Sequence, residues 1–239
     1  MKIKALGKDT SNLKIHGLKL LEKIKRTESG IKHGIDIWNV YDFLYLNNHI
    51  PSLKVLEITI PSSTAFTIES KSMKLYLNGF YNQSFKSEKV VIHKIKNDLE
   101  GLLNAKLNVS FIKKFNQEPS HIDLNNYKNK ETKINNILKF NGFRSICPVT
   151  SQPDFANIYI YCDTPINTIW FINYLISFQN KGHFHEQCID DIFIKILNKY
   201  DCKHLEICGR FQRRGGIDIN PTRGTNKKIL FLNFRGFNQ

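Results

Sequence analysis

Along Lys54-Val-Leu-Glu-Ile-Thr-Ile60 apolar and polar residues alternate, which predicts a half-buried strand stopped by Pro61. A second segment, 63–68, leads into Glu69-Ser-Lys-Ser72 and a helically periodic stretch from Met73 to Phe80. Ser87 stands where an N-cap belongs, ahead of a helix that puts Val91, Ile95, Leu99 and Leu102 or Leu103 on one face. Leu107 to Phe111 reads as the next strand. From about Asn116 to Lys133 the chain is polar and shows no hydrophobic period, so the linker is placed there.

Beyond the linker the theme returns. Ala156-Asn-Ile-Tyr-Ile-Tyr161 alternates as a strand, and Thr164-Pro165 reads as a helix start, with a helix running to about Gln179. A second helix carries Phe184, Cys188, Ile192 and Ile196 on one face. Leu205 to Phe211 is a strand, and Gly215-Gly216 marks a turn before Ile217-Asp-Ile219. The pattern predicts an α+β protein of two tandem modules, 1–128 and 129–239. Each is a mainly antiparallel sheet with two helices packed on one face. No strand is followed by G-x-G-x-x-G, which argues against a dinucleotide site of the Rossmann kind.

The 239 residues, 41% of them hydrophobic, suffice for one large core or two small ones. The longest apolar run, Ile166 to Phe178, is interrupted by two asparagines, and the first ten residues lack the apolar core of a secretory signal. A soluble, cytoplasmic protein without a membrane partner is expected. Five cysteines, at 147, 162, 188, 202 and 208, form no C-x-x-C pair, which argues against a disulfide framework and a zinc knuckle. The net charge of +14 invites a nucleic-acid partner, yet most of the cations are lysines spread through plainly structural segments. No direct nucleic-acid partner is therefore required.

Chemistry concentrates in four stretches. In Cys147-Pro-Val-Thr-Ser-Gln-Pro-Asp154 a thiol and a carboxylate flank a segment stiffened by two prolines. A thiolate is a nucleophile, and a carboxyl beside it can serve as base and then acid. Equally, spacing alone allows a buried cysteine and a turn aspartate. In His183-Phe-His-Glu186 the two histidines fall on different sides of a helix, so no metal site is expected. Glu186 has the chemistry to accept from the N1–H and exocyclic amine of a guanine-type base. Glu69-Ser-Lys-Ser72 is either a phosphate holder at a helix start or a plain capped helix. Arg213-Arg214-Gly215-Gly216 is a cationic turn, able to clamp a phosphate or simply solvated.

Together, Glu69-Ser-Lys-Ser-Met-Lys-Leu-Tyr76, Cys147 to Phe155, Phe184-His-Glu-Gln-Cys188 and Arg213-Arg-Gly-Gly-Ile-Asp-Ile-Asn-Pro221 resemble the QueF family, the 7-cyano-7-deazaguanine reductases of queuosine biosynthesis. Their order is that of the family's two-module branch. The resemblance covers roughly residues 50 to 224 and implies a tunnelling fold, NADPH as cofactor and a homodimer or higher homo-oligomer. It also implies roles. Cys147 would add to the nitrile carbon as a thioimide and Asp154 would move the protons. Ile68, Glu69, Ser70, His185 and Glu186 would hold the deazapurine, and Ser70, Lys71, Arg214 and Gly215 the cofactor.

The chain is short for that branch, Phe80-Tyr81-Asn82 stands where Ser-Phe-Asn is more usual, and the tail from Lys227 to Gln239 has no counterpart. Two rivals remain. A cyclohydrolase-like enzyme of the same fold would need a zinc-binding Cys/His set, and a basic RNA-binding protein would show no catalysis.

Overall fold

A strand of 15 residues, His33–Asn47, that the sequence pattern did not single out lies in the middle of the sheet. Its clean alternation is broken where the register shifts between Val40 and Phe43, so a period-two reading loses it. The computed structural model describes residues 17–126 and 136–239. In chain order the elements are β1 (Lys23–Lys25), β2 (His33–Asn47), β3 (Ile50–Pro61), β4 (Phe66–Ile68), α1 (Ser70–Asn78), β5 (Ser84–Phe85), α2 (Glu88–Leu103) and β6 (Asn108–Ile112). After these come β7 (Ile122–Asp123), β8 (Ile137–Ile146), β9 (Pro153–Cys162), α3 (Thr168–Ile176), α4 (His185–Lys199), β10 (Leu205–Phe211) and β11 (Ile217–Gly224).

The strands run β6-β3-β2-β11-β10-β9-β8-β7 across one sheet, with short β5 alongside β2. Pairing is antiparallel except for β7 with β8 and β5 with β2. The expected two sheets are thus one. β11 pairs with β2 from Ile217 opposite Val40 to Gly224 opposite His33, which fuses the two halves along a continuous ladder. β1 and β4 form a separate antiparallel pair that delivers the chain to α1.

Two cores lie under the helices. In the first, α1 and α2 set Met73, Val91, Ile95 and Leu99 on Trp38, Val40, Leu56 and Ile58. In the second, α3 and α4 set Phe171, Leu175, Cys188, Ile192 and Ile196 on Ile158, Ile160, Leu205 and Ile207. Each such aliphatic side chain contributes about 1.5–3 kcal/mol on leaving water. Ile217 of β11 belongs to the first core, so the halves interlock.

Three expectations shift. α3 starts at Thr168, not at Thr164-Pro165, because the Asn167 side chain accepts from the Trp170 N–H, while the Thr164 hydroxyl is drawn to Asp201 O. It ends at Ile176. Much of the expected linker is built into the fold. The Asn116 N–H donates to Asn233 O, Glu118 accepts from Lys139 and Tyr159, and β7 pairs with β8. Asn125 exchanges two hydrogen bonds with Asn141 at the bulge before Gly142, which a polar composition hides. The module boundary at 128/129 lies outside the described residues.

The tail also finds a place. Phe231 and Phe234 are buried against Tyr159 and Cys208 on the sheet face away from the helices. Glu206 accepts from the N–H groups of Leu230 and Phe231 at 2.7 and 2.6 Å, and Asn233 reaches Asn39 and Glu57 at 2.8 and 2.6 Å. Among the described residues no helix is long and apolar enough to cross a membrane.

Candidate active site

All ten residues to which the resemblance assigned a role line one cavity of about 310 Å³. Ile68, Glu69, Ser70 and Lys71 come from the β4–α1 junction, Cys147 and Asp154 from the β8–β9 hairpin, His185 and Glu186 from the start of α4, and Arg214 and Gly215 from the β10–β11 turn. The cavity therefore opens where the two halves of the sheet meet.

Glu69 is the N-cap of α1. Its carboxylate accepts from the backbone N–H groups of Lys71 and Ser72 at 3.0 and 2.7 Å, and the residue is only 5% exposed. The Ser72 hydroxyl donates back to Glu69 O and accepts from the Glu22 N–H, which fixes the corner from both sides. The two readings of the Glu-Ser-Lys-Ser stretch thus coexist: it caps a helix and still faces the cavity. Glu186 sits in the first turn of α4, where the helix dipole favours a carboxylate. It is 7% exposed and accepts from the Thr67 hydroxyl at 2.9 Å.

Cys147 lies just past β8, in a hairpin closed by its N–H to Gln152 O and by the Ser151 N–H to its own carbonyl. Ser151 takes a φ of 55°, the tight left-handed corner of that loop. Asp154 is the second residue of β9, opposite Ser145, so strand pairing rather than a free loop carries it. It is 5% exposed, and its Oδ1 faces Arg214 Nη1 at 3.0 Å and His185 Nε2 at 3.4 Å. The ring of His185 stacks on Phe211, with centroids 3.9 Å apart and planes within 8°.

Of the other cysteines, burial raises the thiol pKa of Cys162, Cys188, Cys202 and Cys208, that of Cys188 to about 12. Among the described residues Cys147 is the one cysteine in the cavity wall. The neighbouring candidates divide. His183 turns to Asp191 at 3.1 Å while His185 faces the cavity, so the two do not converge. Arg213 stacks over the Tyr41 ring at 4.9 Å, whereas Arg214 reaches into the site. Gly215 and Gly216 have φ of 54° and 84°, and the turn closes by Arg214 N–H to Ile217 O at 2.8 Å. A Cβ at Gly215 would strike Lys74 Nζ at 2.6 Å.

Sequence reasoning missed Thr67, Lys74, Gln212 and the ring of Phe211 behind His185. Lys74 lies one helical turn after Lys71, and that spacing would have found it. Thr67 and Phe211 carried no local signal, because their partners lie far away in the chain.

Residues 18–111 match a family model described as nitrile reductase, 7-cyano-7-deazaguanine reductase, N-terminal part. Residues 153–229 match one described as QueF-like protein. A protein of Coxiella burnetii (strain RSA 331 / Henzerling II) is 33% identical over 233 residues, covering 87% of this chain and 82% of its own. The chain belongs to the QueF family. A relative from Buchnera aphidicola (subspecies Schizaphis graminum) is 36% identical over 255 residues, covering 92% of this chain and 97% of that one. A third, from Polaromonas (strain JS666), is 31% identical over 263 residues and covers 96% of each chain. All three bear the name NADPH-dependent 7-cyano-7-deazaguanine reductase. The two family matches each include part of the cavity wall. The first spans Ile68 to Lys71, and the second spans Asp154, His185, Glu186, Arg214 and Gly215, with Cys147 in the hairpin between them.

Proposed function

We propose that this chain reduces the nitrile of 7-cyano-7-deazaguanine to the aminomethyl group of 7-aminomethyl-7-deazaguanine at the expense of NADPH, in queuosine biosynthesis. The observation that carries the proposal is the convergence of Cys147 and Asp154 with two buried carboxylates, Glu69 and Glu186, around one cavity.

The residue types fit both ligands. A guanine-type edge offers two donors, and Glu186 and Glu69 are acceptors held in place by Thr67 and by the α1 backbone. The stacked ring of His185 and Ile68 complete the apolar and polar wall for the base. Lys71, Lys74 and Arg214 supply cations, and the glycine turn at 215 leaves backbone exposed beside Ser70, which suits the phosphates of a dinucleotide. NADPH bound there would supply one hydride, and a second NADPH taking its place would supply the other.

Cys147 Sγ forms a bond to the nitrile carbon, and its proton passes by way of Asp154 to the nitrile nitrogen, giving a thioimide. Once that carbon is reduced, the C–S bond breaks, Cys147 leaves as thiolate, and an imine remains in the cavity. Asp154 delivers the proton that the nitrogen needs at each stage, while Arg214 and His185 hold its carboxylate. Glu69 and Glu186 keep the base seated between the two reductions, when loss of the imine to water would abort the reaction.

The same reading carries a cytoplasmic enzyme and a homo-oligomer. Leu232 and Phe237, 58% and 103% exposed on the tail, favour a contact between copies. The direct test of the chemistry is mass spectrometry of protein mixed with the nitrile in the absence of NADPH. The proposal expects an adduct of the whole nucleobase on the peptide bearing Cys147, absent from Cys147→Ala. A binding-competent protein that forms no adduct would contradict the covalent route.

A further inference from the structure

At the end of β9 remote from Asp154, two cysteines forty positions apart in the chain meet with their sulfurs 2.8 Å apart. Cys162 is the last residue of β9, paired with Leu205, and Cys202 lies in the short connection from α4 to β10. The flanking backbone holds them in register. The Asp163 N–H donates to His204 O and the His204 N–H donates to Asp163 Oδ2, both at 3.0 Å, while the Thr164 hydroxyl donates to Asp201 O at 2.8 Å. Asp163 Oδ1 is buried without a hydrogen-bond partner, and a carboxylate oxygen of Asp163 lies within 4.8 Å of both sulfurs.

Such a trio suits either a soft metal ion or a disulfide, and the distance lies nearer the disulfide. With zinc–sulfur bonds of about 2.3 Å, sulfurs 2.8 Å apart would impose a sulfur–zinc–sulfur angle of about 75°, far from tetrahedral. The sulfurs would have to separate by nearly an ångström to admit the ion. A disulfide of about 2.05 Å needs them to close by only about 0.8 Å.

We propose that Cys162 and Cys202 are a dithiol modification site, converted to an intramolecular disulfide by a small-molecule disulfide of the glutathione class. Cys202, the more exposed of the two, attacks as thiolate. Its sulfur bonds to one sulfur of the small disulfide and releases the other half as a thiol. Cys162 then loses its proton to solvent base and, as thiolate, attacks Cys202 Sγ, expelling the second small thiol. Two protein thiols are oxidised to one disulfide, and one small disulfide is reduced to two thiols. Burial raises the pKa of both cysteines, so the exchange is slow at neutral pH and accelerates as the pH rises.

The bond would close a loop containing α3 and α4, the whole helical layer of the second half. It would do so at a distance from the chemistry, since the eight strand steps back to Asp154 span about 26 Å. The proposal concerns the fold alone and stands or falls apart from the reductase reading.

The test is incubation of the full chain with oxidised glutathione at alkaline pH, followed by digestion without reductant, mass spectrometry and thermal melting. The expected result is a cross-linked peptide joining Cys162 and Cys202 with two hydrogens lost. The melting temperature should rise by roughly 10 °C, reversed by dithiothreitol. Both effects should vanish in Cys202→Ser and in Cys162→Ser, and Cys202→Ser should turn over like the unsubstituted protein. Glutathione left on Cys202 as a stable mixed disulfide would overturn the proposal, and so would a link between other cysteines or an unchanged melting temperature. Stoichiometric zinc that shields this pair from alkylation would overturn it in favour of a metal site.

Discussion

The hydroxyl of Thr67 donates at 2.9 Å to the carboxylate of Glu186, a residue 119 positions away in the other half of the chain. The bond leaves Glu186 one defined orientation in a site where it is almost wholly buried. Thr67→Val keeps the shape and removes the donor. The KM for the nitrile substrate should rise about tenfold with kcat little changed, as for one lost hydrogen bond to a charged group. Thr67→Ser should restore it. A Val variant with unaltered KM would mean that Glu186 is positioned by α4 alone.

The tail has become a structural element. Phe234 is 1% exposed, meets Tyr159 edge-on at 5.0 Å and lies under the Arg210 guanidinium at 4.1 Å. Phe234→Ala should destabilise the protein by about 3–5 kcal/mol, seen as a lowered urea midpoint with an unchanged slope. Turnover of the folded fraction should be preserved, because none of these groups lines the cavity. Stability equal to that of the unsubstituted chain would show that the tail packs only loosely.

A buried ionic network joins the halves behind the site. Arg223 Nη1 meets Asp36 at 2.7 Å, its Nε meets Asp190 of α4 at 2.5 Å, and Arg26 also pairs with Asp36. Burial by itself would raise the pKa of Asp36, but Arg223 and then Arg26 outweigh it, and the carboxyl sits below its ordinary value. A carboxyl lowered on folding contributes stability that is complete above its unfolded pKa and lost as the pH falls through the folded one. Asp190, raised by burial, acts in the opposite sense. Urea midpoints should therefore fall as the pH drops from about 4 downward, and Asp36→Asn, less stable above that range, should lose less over the same interval. Parallel curves for the two proteins would remove Asp36 as the acid-sensitive group.

Much of this molecule was legible along the chain because its signals are local. The face Val91, Ile95, Leu99 recurs at helical spacing, and Leu205 to Phe211 matches β10 residue for residue. The four motifs of the site were each readable, since each is contiguous and sits at the end of a regular element. What escaped depends on partners distant in sequence. β2 is hidden by its bulge, the fusion of two sheets rests on the β2–β11 ladder, and β7 is two residues given meaning only by β8. The same holds for Thr67 and Phe211, and for Cys162 and Cys202, which spacing alone set apart.

The most direct test of the central claim is the number of NADPH molecules oxidised per molecule of 7-cyano-7-deazaguanine, followed by loss of the cofactor's absorbance. Two per nitrile are expected, with the aminomethyl base as product and no oxidation by Cys147→Ala. Turnover that persists in Cys147→Ala, or a bound nucleobase with no NADPH consumed by the intact protein, would contradict it.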